Sequence, residues 1–227
     1  MGDAYNSLGQ VAGTNGDYDG AIGFYESCLD IWRDLGSRWR IAECLDSLGF
    51  IVLLQGKVDS AETYYQESLA ISKEIDDGSG WAWSLHNLGD VARQRGDFDH
   101  ARQLYMQSIE QHEARDPLNW GRLVSLYKLG LANAHLGADA EAERNFRTAF
   151  AIAKRTKRYR EAMDALLGLA QLRLKEGNSA EANRLLAFIL HHPATAKETL
   201  ESAMPLAADM TPTELDSLDL DALILNV

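Results

Sequence analysis

Cysteine, basic residues and long hydrophobic runs are all scarce in this 227-residue chain. Its two cysteines, Cys28 and Cys44, are too few for the disulfide framework of a small secreted domain, so we expect buried reduced thiols. No apolar run reaches the roughly 18 to 20 residues of a membrane span. No signal peptide precedes the first structural pattern, because Met1-Gly2-Asp3 leads directly into it. We therefore predict a cytoplasmic protein, and the abrupt start favours a segment of a longer polypeptide.

Basic residues are outnumbered by acidic ones, with 22 Lys and Arg against 34 Asp and Glu and a net charge of −12. This balance argues against nucleic-acid and anionic-membrane partners, since both require a basic face. It is typical of a solvated acidic surface, and it would also suit a basic or apolar partner. A local basic run at 154–160 favours compensation of a helix C-terminus over a phosphate site.

Motifs of known chemistry are also missing. The six histidines form no H-E-x-x-H pair, and the chain has no Gly-rich phosphate loop and no G-x-S-x-G element. We therefore predict a protein that is not an enzyme and that carries no cofactor and no metal site.

What the chain does have is an internal repeat. Glycines recur at a nearly constant period of roughly 40 residues, and each is followed at the fifth position by alanine and four positions later by a large apolar residue. The glycines are Gly16, Gly56, Gly96, Gly137 and Gly177, the alanines are Ala21, Ala61, Ala101, Ala142 and Ala182, and the large residues are Tyr25, Tyr65, Tyr105, Phe146 and Leu186. Self-similarity at this period predicts a solenoid.

Each repeat unit predicts a helical hairpin. Apolar residues recur every three or four positions on both sides of the glycine, so helix A precedes it and helix B follows it. The glycine suits a left-handed residue that ends helix A. Asp17, Asp97 and Asp139 stand where a carboxylate would cap the start of helix B.

The repeat resembles the tetratricopeptide family, whose pattern joins a Leu-Gly pair in helix A to A-x3-F in helix B over 34 residues. The pairs here are Leu8-Gly9, Leu48-Gly49, Leu88-Gly89, Leu129-Gly130 and the degraded Leu169-Ala170. The period of about 40 adds some six residues per hairpin, which turns near Gly36, Gly78 or Pro117 would absorb. Long-period arrays of this kind resemble the sensor segments of bacterial signal-transduction ATPases and transcriptional regulators.

The resemblance implies an all-α fold, an α-solenoid of five hairpins in a right-handed superhelix with C-terminal capping helices. The expected array covers residues 3–190, with repeats at about 3–38, 39–78, 79–116, 117–157 and 158–190. Residues 194–227 would form a capping helix, from Thr195 to Asp209 and ended or kinked by Pro205, followed by an acidic-apolar tail.

The resemblance also implies that the A helices line a concave binding groove. The groove positions carried over are Asn6, Gln10, Glu43, Asp46, Phe50, Leu53, Trp83, His86, Asp90, Arg93, Tyr127, Leu131, Asp164 and Gln171. This set is partly apolar and edged by carboxylates, so it suits an amphipathic helix or extended peptide with basic flanks. An equal alternative is that its apolar members pack within the array itself.

We therefore expect a protein-binding or peptide-binding scaffold or sensor module, and the resemblance alone implies that it belongs to a larger bacterial regulator. Two alternatives remain open. The C-terminal tail could drive self-association into a homo-oligomer, or the array could sense a small-molecule effector. The sequence names neither the partner nor the oligomeric state.

Overall fold

The computed structural model describes residues 1–207, and within them the chain is helical and contains no strand. It forms two compact units, residues 1–117 and the residues from 118 onward. The first unit contains α1 (Gly2–Thr14), α2 (Tyr18–Asp34), α3 (Arg38–Leu54), α4 (Val58–Glu74), α5 (Gly78–Gln94) and α6 (Phe98–Glu113). The second contains α7 (Trp120–His135), α8 (Asp139–Arg155), α9 (Tyr159–Lys175), α10 (Ser179–His191), α11 (Lys197–Ala203) and a short 3-10 helix (Met204–Ala207).

Within each unit, consecutive helices pack against each other as hairpins. The A helices of neighbouring hairpins also meet, α3 with α5 in the first unit and α7 with α9 in the second. Each hairpin therefore covers the apolar side of the next, as a repeat solenoid requires. The predicted all-α solenoid is confirmed, while the right-handed superhelix and the repeat boundaries stay predictions.

The five repeat glycines end the A helices in the left-handed conformation, as predicted. Their φ angles lie between +75° and +79°, where a residue with a Cβ would be strained. Asp17 and Asp97 also cap the following helices, accepting hydrogen bonds from Gly20 N and His100 N at 3.0 Å. Asp139 lies in the first turn of the following helix, as predicted, but it does not cap it. It is the first residue inside α8 and instead accepts a bond from Lys175 Nζ at 2.7 Å.

The turns between repeats use different residues for the same backbone shape. Gly36 has a φ of +68°, which confirms the predicted turn there. The turn predicted at Gly78 falls on Asp76, whose φ is +54°, and Gly78 is the first residue of α5. Lys157, at +57°, takes the equivalent position between α8 and α9. Pro117 lies between α6 and α7, within the predicted connecting segment.

The Leu-Gly pair and the helix B aromatic form one packing unit. A Cβ on Gly49 would lie 2.6 Å from the ring of Tyr65, and one on Gly89 would lie 2.6 Å from that of Tyr105. Because glycine has no side chain, these buried rings lie directly against the backbone of helix A. This contact explains why the two elements recur together in the sequence.

Two small polar or thiol side chains meet at each of the first two junctions between hairpins. Cys28 Sγ lies 2.7 Å from Cys44 Sγ, and Ser84 Oγ lies 3.1 Å from Ser68 Oγ, within hydrogen-bonding distance. The two members of each pair have the same separation in the sequence, and the second pair lies one repeat period after the first. Both cysteines are buried and unbridged, as predicted. Their proximity is therefore a property of the repeat register.

The predicted helix from Thr195 to Asp209 is shorter in the structure. It is α11, Lys197–Ala203, and it gives way to the 3-10 helix that contains Pro205. α11 packs on α9 and α10, and Thr199 Oγ1 donates to Asp164 Oδ1 at 2.5 Å. α11 thus covers the last hairpin, the position expected of a capping helix. The predicted acidic-apolar tail lies outside the described residues.

Candidate binding cleft in the first unit

A cleft of about 250 Å³ opens between α3 and the start of α5. Its lining residues are Trp39, Ala42, Glu43, Asp46, Ser47, Asp77, Ser79, Gly80 and Trp83. Trp39, Glu43 and Asp46 follow one another at spacings of four and three, which places them on one face of α3. Asp77 is held in place as the N-cap of α5, where its side chain accepts from Ser79 N at 3.1 Å.

Asp46 is the central carboxylate of this cleft. Burial raises its pKa to about 7, and the charge of Asp77 adds to the shift. Hydrogen bonds from Ser68, Asn87 and Ser84 act in the opposite direction, and the last of these has Ser84 Oγ at 3.5 Å from Asp46 Oδ1. Among residues 1–207 the carboxylate is therefore held by neutral donors, and burial disfavours its ionised form.

Two arginines lie near the cleft without lining it. Arg40 stacks on Trp39 at 4.6 Å, donates to Glu43 Oε2 at 2.8 Å and bridges Asp3 at 3.1 Å. The Arg115 guanidinium lies against the backbone of Gly78. Glu43 is thus neutralised within the unit. Asp46 and Asp77 form no salt bridge with a Lys or Arg of residues 1–207.

Some predicted groove residues of the first unit line the cleft, and others form hydrogen bonds with one another or with Tyr105 on α5 and α6. Glu43, Asp46 and Trp83 meet in the cleft. On α5, Asp90 accepts from Tyr105 Oη at 2.6 Å and from Arg93 Nε at 3.4 Å. The remaining predicted positions differ in exposure: Gln10 and Phe50 are exposed, Asn6 and Leu53 are partly buried, and His86 is buried against the rings of Trp83 and Tyr105.

The predicted positions of the second unit are largely occupied by internal contacts. Tyr127 packs its ring 5.9 Å from that of Phe146, and Asp164 accepts the hydrogen bond from Thr199. Leu131 is partly buried, and Gln171 is exposed. These residues therefore provide less unpartnered polar surface than the cleft of the first unit does.

The second unit has a position equivalent to each cleft residue, two repeat periods further along the chain, at the offset that separates Gly56 from Gly137. Trp39 corresponds to Trp120, while Glu43, Asp46 and Asp77 correspond to Val124, Tyr127 and Arg158. The Arg158 guanidinium lies 5.3 Å from the ring centre of Trp120. Trp120 Nε1 in turn donates to Glu161 Oε1 at 2.9 Å. Trp120 thus has an arginine over its ring and a carboxylate beside it, as Trp39 has Arg40 and Glu43, but here the arginine comes from the position that Asp77 occupies in the first unit.

The repeat pattern and the packed hairpins agree with a comparison against known families. The tetratricopeptide repeat profile matches residues 1–74 and 42–114, together half of the 227-residue chain. The chain belongs to the tetratricopeptide repeat family. No curated protein matches this tetratricopeptide repeat chain.

Several solved structures resemble the tetratricopeptide repeat fold seen here. BtubC (BKLC) from P. vanneervenii is 16% identical with a TM-score of 0.72, over 92% of this chain and 82% of its own. The quorum sensor NprR from B. thuringiensis is 20% identical with a TM-score of 0.75, over 92% and 59%. A Rap protein complexed with Competence and Sporulation Factor is 16% identical with a TM-score of 0.68, over 90% and 63%. At these identities, the likeness shows the fold alone.

Trp39 and Asp77 line the cleft but are absent from the groove positions predicted from the sequence. Both fall in the extra segments that lengthen this tetratricopeptide repeat, at 34–41 and 75–82, which were interpreted only as turns. The available signal was an aromatic residue in one extra segment and a carboxylate in the next, nearly one repeat period later. Only the side-by-side packing of α3 and α5 shows that the two segments meet.

Two further findings concern residues 1–207 alone. In this part of the chain, no group of three or more His, Cys, Asp or Glu side chains is arranged so that it could bind a metal ion. Over the same range, no helix is both long and apolar enough to span a membrane.

Proposed function

We propose that this tetratricopeptide repeat chain is a non-enzymatic scaffold or sensor module that binds a protein or peptide on its A helices. One observation carries the proposal: α3 exposes large apolar side chains next to carboxylates. Trp39 is 49% exposed and Phe50 is 55% exposed, and Glu43 and Asp46 lie between them on the same helix.

The chemistry of this surface favours a basic, partly apolar partner. Exposed aromatic side chains lose unfavourable contact with water when a partner covers them. Carboxylates beside them attract basic flanking residues and fix the orientation of the bound segment. An amphipathic helix or an extended peptide with Lys or Arg residues meets both requirements. Stacked hairpins supply a rigid support for such a segment.

The regulatory context of the proposal comes from the structural neighbours. The chain matches 59% of the quorum sensor NprR and 63% of the Rap protein. We propose by analogy that it serves as the sensor segment of a larger bacterial regulatory protein and acts in the cytoplasm.

A selection of phage-displayed random peptides, each about three helical turns long, against the whole chain tests the proposal. We expect enriched sequences that combine apolar and basic residues, with saturable binding in fluorescence anisotropy. Phe50→Glu should weaken that binding at least tenfold, since it places a charge in the apolar contact. Met106→Glu is the matched control, because Met106 is equally exposed, at 56%, but lies on the B helix α6.

Two outcomes would contradict the proposal. The selection could enrich no peptide, or the enriched peptides could respond to Met106→Glu and not to Phe50→Glu. The second result would move the binding surface to the B helices.

A further inference from the structure

We propose that the cleft between α3 and α5 is the anchor pocket for one Lys or Arg side chain of the bound peptide. This inference rests on the proposed function and assigns a specific contact to it. Asp46 and Asp77 would pair with the cation, and Trp39 and Trp83 would contact its aliphatic stem and charged group.

The size of the cleft fits a single long side chain. Its volume of about 250 Å³ is below the roughly 300 to 1,000 Å³ of pockets that enclose a drug-sized ligand. Tryptophan walls suit the apolar stem of Lys or Arg. A whole effector molecule has less room here than one side chain has.

The charge of the cleft calls for a cation from outside. Three of the nine lining residues are carboxylates and none is Lys or Arg. Arg40 compensates Glu43, whereas within residues 1–207 Asp46 receives only neutral hydrogen bonds and Asp77 only the backbone N–H of Ser79. A partly buried carboxylate gains most from an opposite charge placed within hydrogen-bonding distance. A basic side chain is therefore the complementary occupant.

The second unit provides an internal precedent for this arrangement. At the position equivalent to Trp39, Trp120 has the guanidinium of Arg158 over its ring at 5.3 Å, with Glu161 bonded to the indole. Arg158 itself stands where the first unit has Asp77. The same position thus holds an arginine of the chain in one unit and, in the other, a carboxylate that has no ion-pair partner among residues 1–207. Arg40, which lies over Trp39, is already paired with Glu43 and Asp3, so we infer that in the first unit the cation for Asp77 and Asp46 comes from the partner.

Nα-acetyl-arginine amide is the probe for this inference, and the indole N–H signals of the five tryptophans in the ¹⁵N-labelled chain are the readout. We expect saturable shifts of Trp39 and Trp83 at millimolar probe and none of Trp120. The uncharged isostere Nα-acetyl-citrulline amide should bind at least about fivefold more weakly. Raising the salt from about 0.1 M to about 0.5 M should weaken the arginine probe.

The test variant is Asp46→Asn with Asp77→Asn, since asparagine keeps the N-cap while removing the charge. We expect it to weaken the arginine probe about tenfold. Asp97→Asn is the matched control, because Asp97 caps α6 in the same manner and does not line the cleft. It should leave the probe's affinity unchanged.

The inference is overturned if citrulline and arginine probes bind equally, if neither shifts Trp39 or Trp83, or if Asp97→Asn matches the double variant. None of these results would contradict the proposed function, because that proposal is tested by the peptide selection and by the effect of Phe50→Glu. A peptide that binds through Phe50 and tolerates replacement of every Lys and Arg would likewise retain the proposed function and reject the anchor pocket.

Discussion

Trp39 and Trp120 occupy the same position in two repeats, and each has an arginine over its ring, Arg40 at 4.6 Å and Arg158 at 5.3 Å, yet the residues at the start of the next A helix, Asp77 and Arg158, have opposite charges. In the second unit, the Arg158 guanidinium lies over the ring of Trp120, and Glu161 accepts a hydrogen bond from its indole N–H. In the first unit, Asp46 and Asp77 have no basic partner among residues 1–207. The same repeat fold can therefore hold an internal ion pair beside the tryptophan or a cleft with excess negative charge. The side chains in the extra segments between repeats determine which of the two forms.

Arg173 extends the same contrast to a buried position. It is 7% exposed and meets Glu143 at 2.5 Å, Glu176 at 2.9 Å and Glu181 at 3.0 Å. Its counterpart in α5 of the first unit is the buried Ala92. The second unit therefore uses ionic contacts for stability at a position where the first unit uses apolar packing.

The largest expected effect comes from removing that arginine. Arg173→Met leaves three carboxylates around an apolar side chain, and we expect a loss of about 2 kcal/mol in the free energy of unfolding at pH 7. Arg173 lowers the pKa of Glu143, so this stabilisation exists above the unfolded pKa and disappears as the pH falls through the folded one. Urea unfolding at pH 7 and pH 4 measures both effects.

The control for this prediction is Arg144→Met. Arg144 is 68% exposed and pairs with Glu141 on the same helix, so its loss should cost under about 0.5 kcal/mol. Equal losses for the two variants would show that burial does not distinguish the ion pairs of the second unit.

For the cleft carboxylate Asp46 in the first unit, we expect the free energy of unfolding to change with pH in the opposite direction. Asp46 has a pKa raised to about 7 from 3.8, so between these values the native state binds more protons than the unfolded chain does. Stability therefore falls as the pH rises through this range. Asp46→Asn should stabilise the protein by on the order of 1 kcal/mol at pH 8 and less at pH 5, measured by urea unfolding.

Tyr65 of α4 also interacts electrostatically with Asp46, but it does not share in that pH dependence. Tyr65 titrates well above the range, because burial and the nearby carboxylates raise its pKa. Asp30→Asn on the exposed side of α2 is the control. An equal gain from both variants would assign the effect to net charge.

The turns between repeats offer a smaller test of the two units. Lys157 adopts a φ of +57° where Gly36 adopts +68°, and a side chain there strains the backbone. Lys157→Gly should stabilise the protein by about 0.5 to 1 kcal/mol, and Gly36→Lys should destabilise it by about 1 kcal/mol. Thermal unfolding midpoints would report both. Changes of the same sign would show that the turns are not equivalent.

The smallest effect on stability, and the most direct test of the comparison, is Arg158→Gln. Loss of an exposed cation from the face of Trp120 should cost under about 0.5 kcal/mol. It also leaves Trp120 and Glu161 without that arginine. Nα-acetyl-arginine amide should then shift the Trp120 indole signal, which it leaves unchanged in the unaltered chain. No new shift would mean that the register alone does not create a cation site.

The sequence predicted the fold well because its signals are local and repeated. Glycines such as Gly16 must adopt positive φ, and the ring of Tyr65 must lie on Gly49, so both patterns recur in register. The cleft could not be predicted in full, since Trp39 and Asp77 approach only through the packing of α3 on α5. Asp139 lies two residues after Gly137, whereas Asp17 and Asp97 lie one residue after their glycines, so Asp139 falls on the first residue of α8 rather than on its cap.

The pair Cys28 and Cys44 gives the first unit a property that the second lacks. They are the only thiols of the chain, both are buried where α2 meets α3, and burial raises the pKa of Cys44. A thiol reagent in solution can therefore reach them only when those two helices separate. The rate of their modification would measure how often the first unit opens, without any added label, while the second unit stays silent in the same experiment.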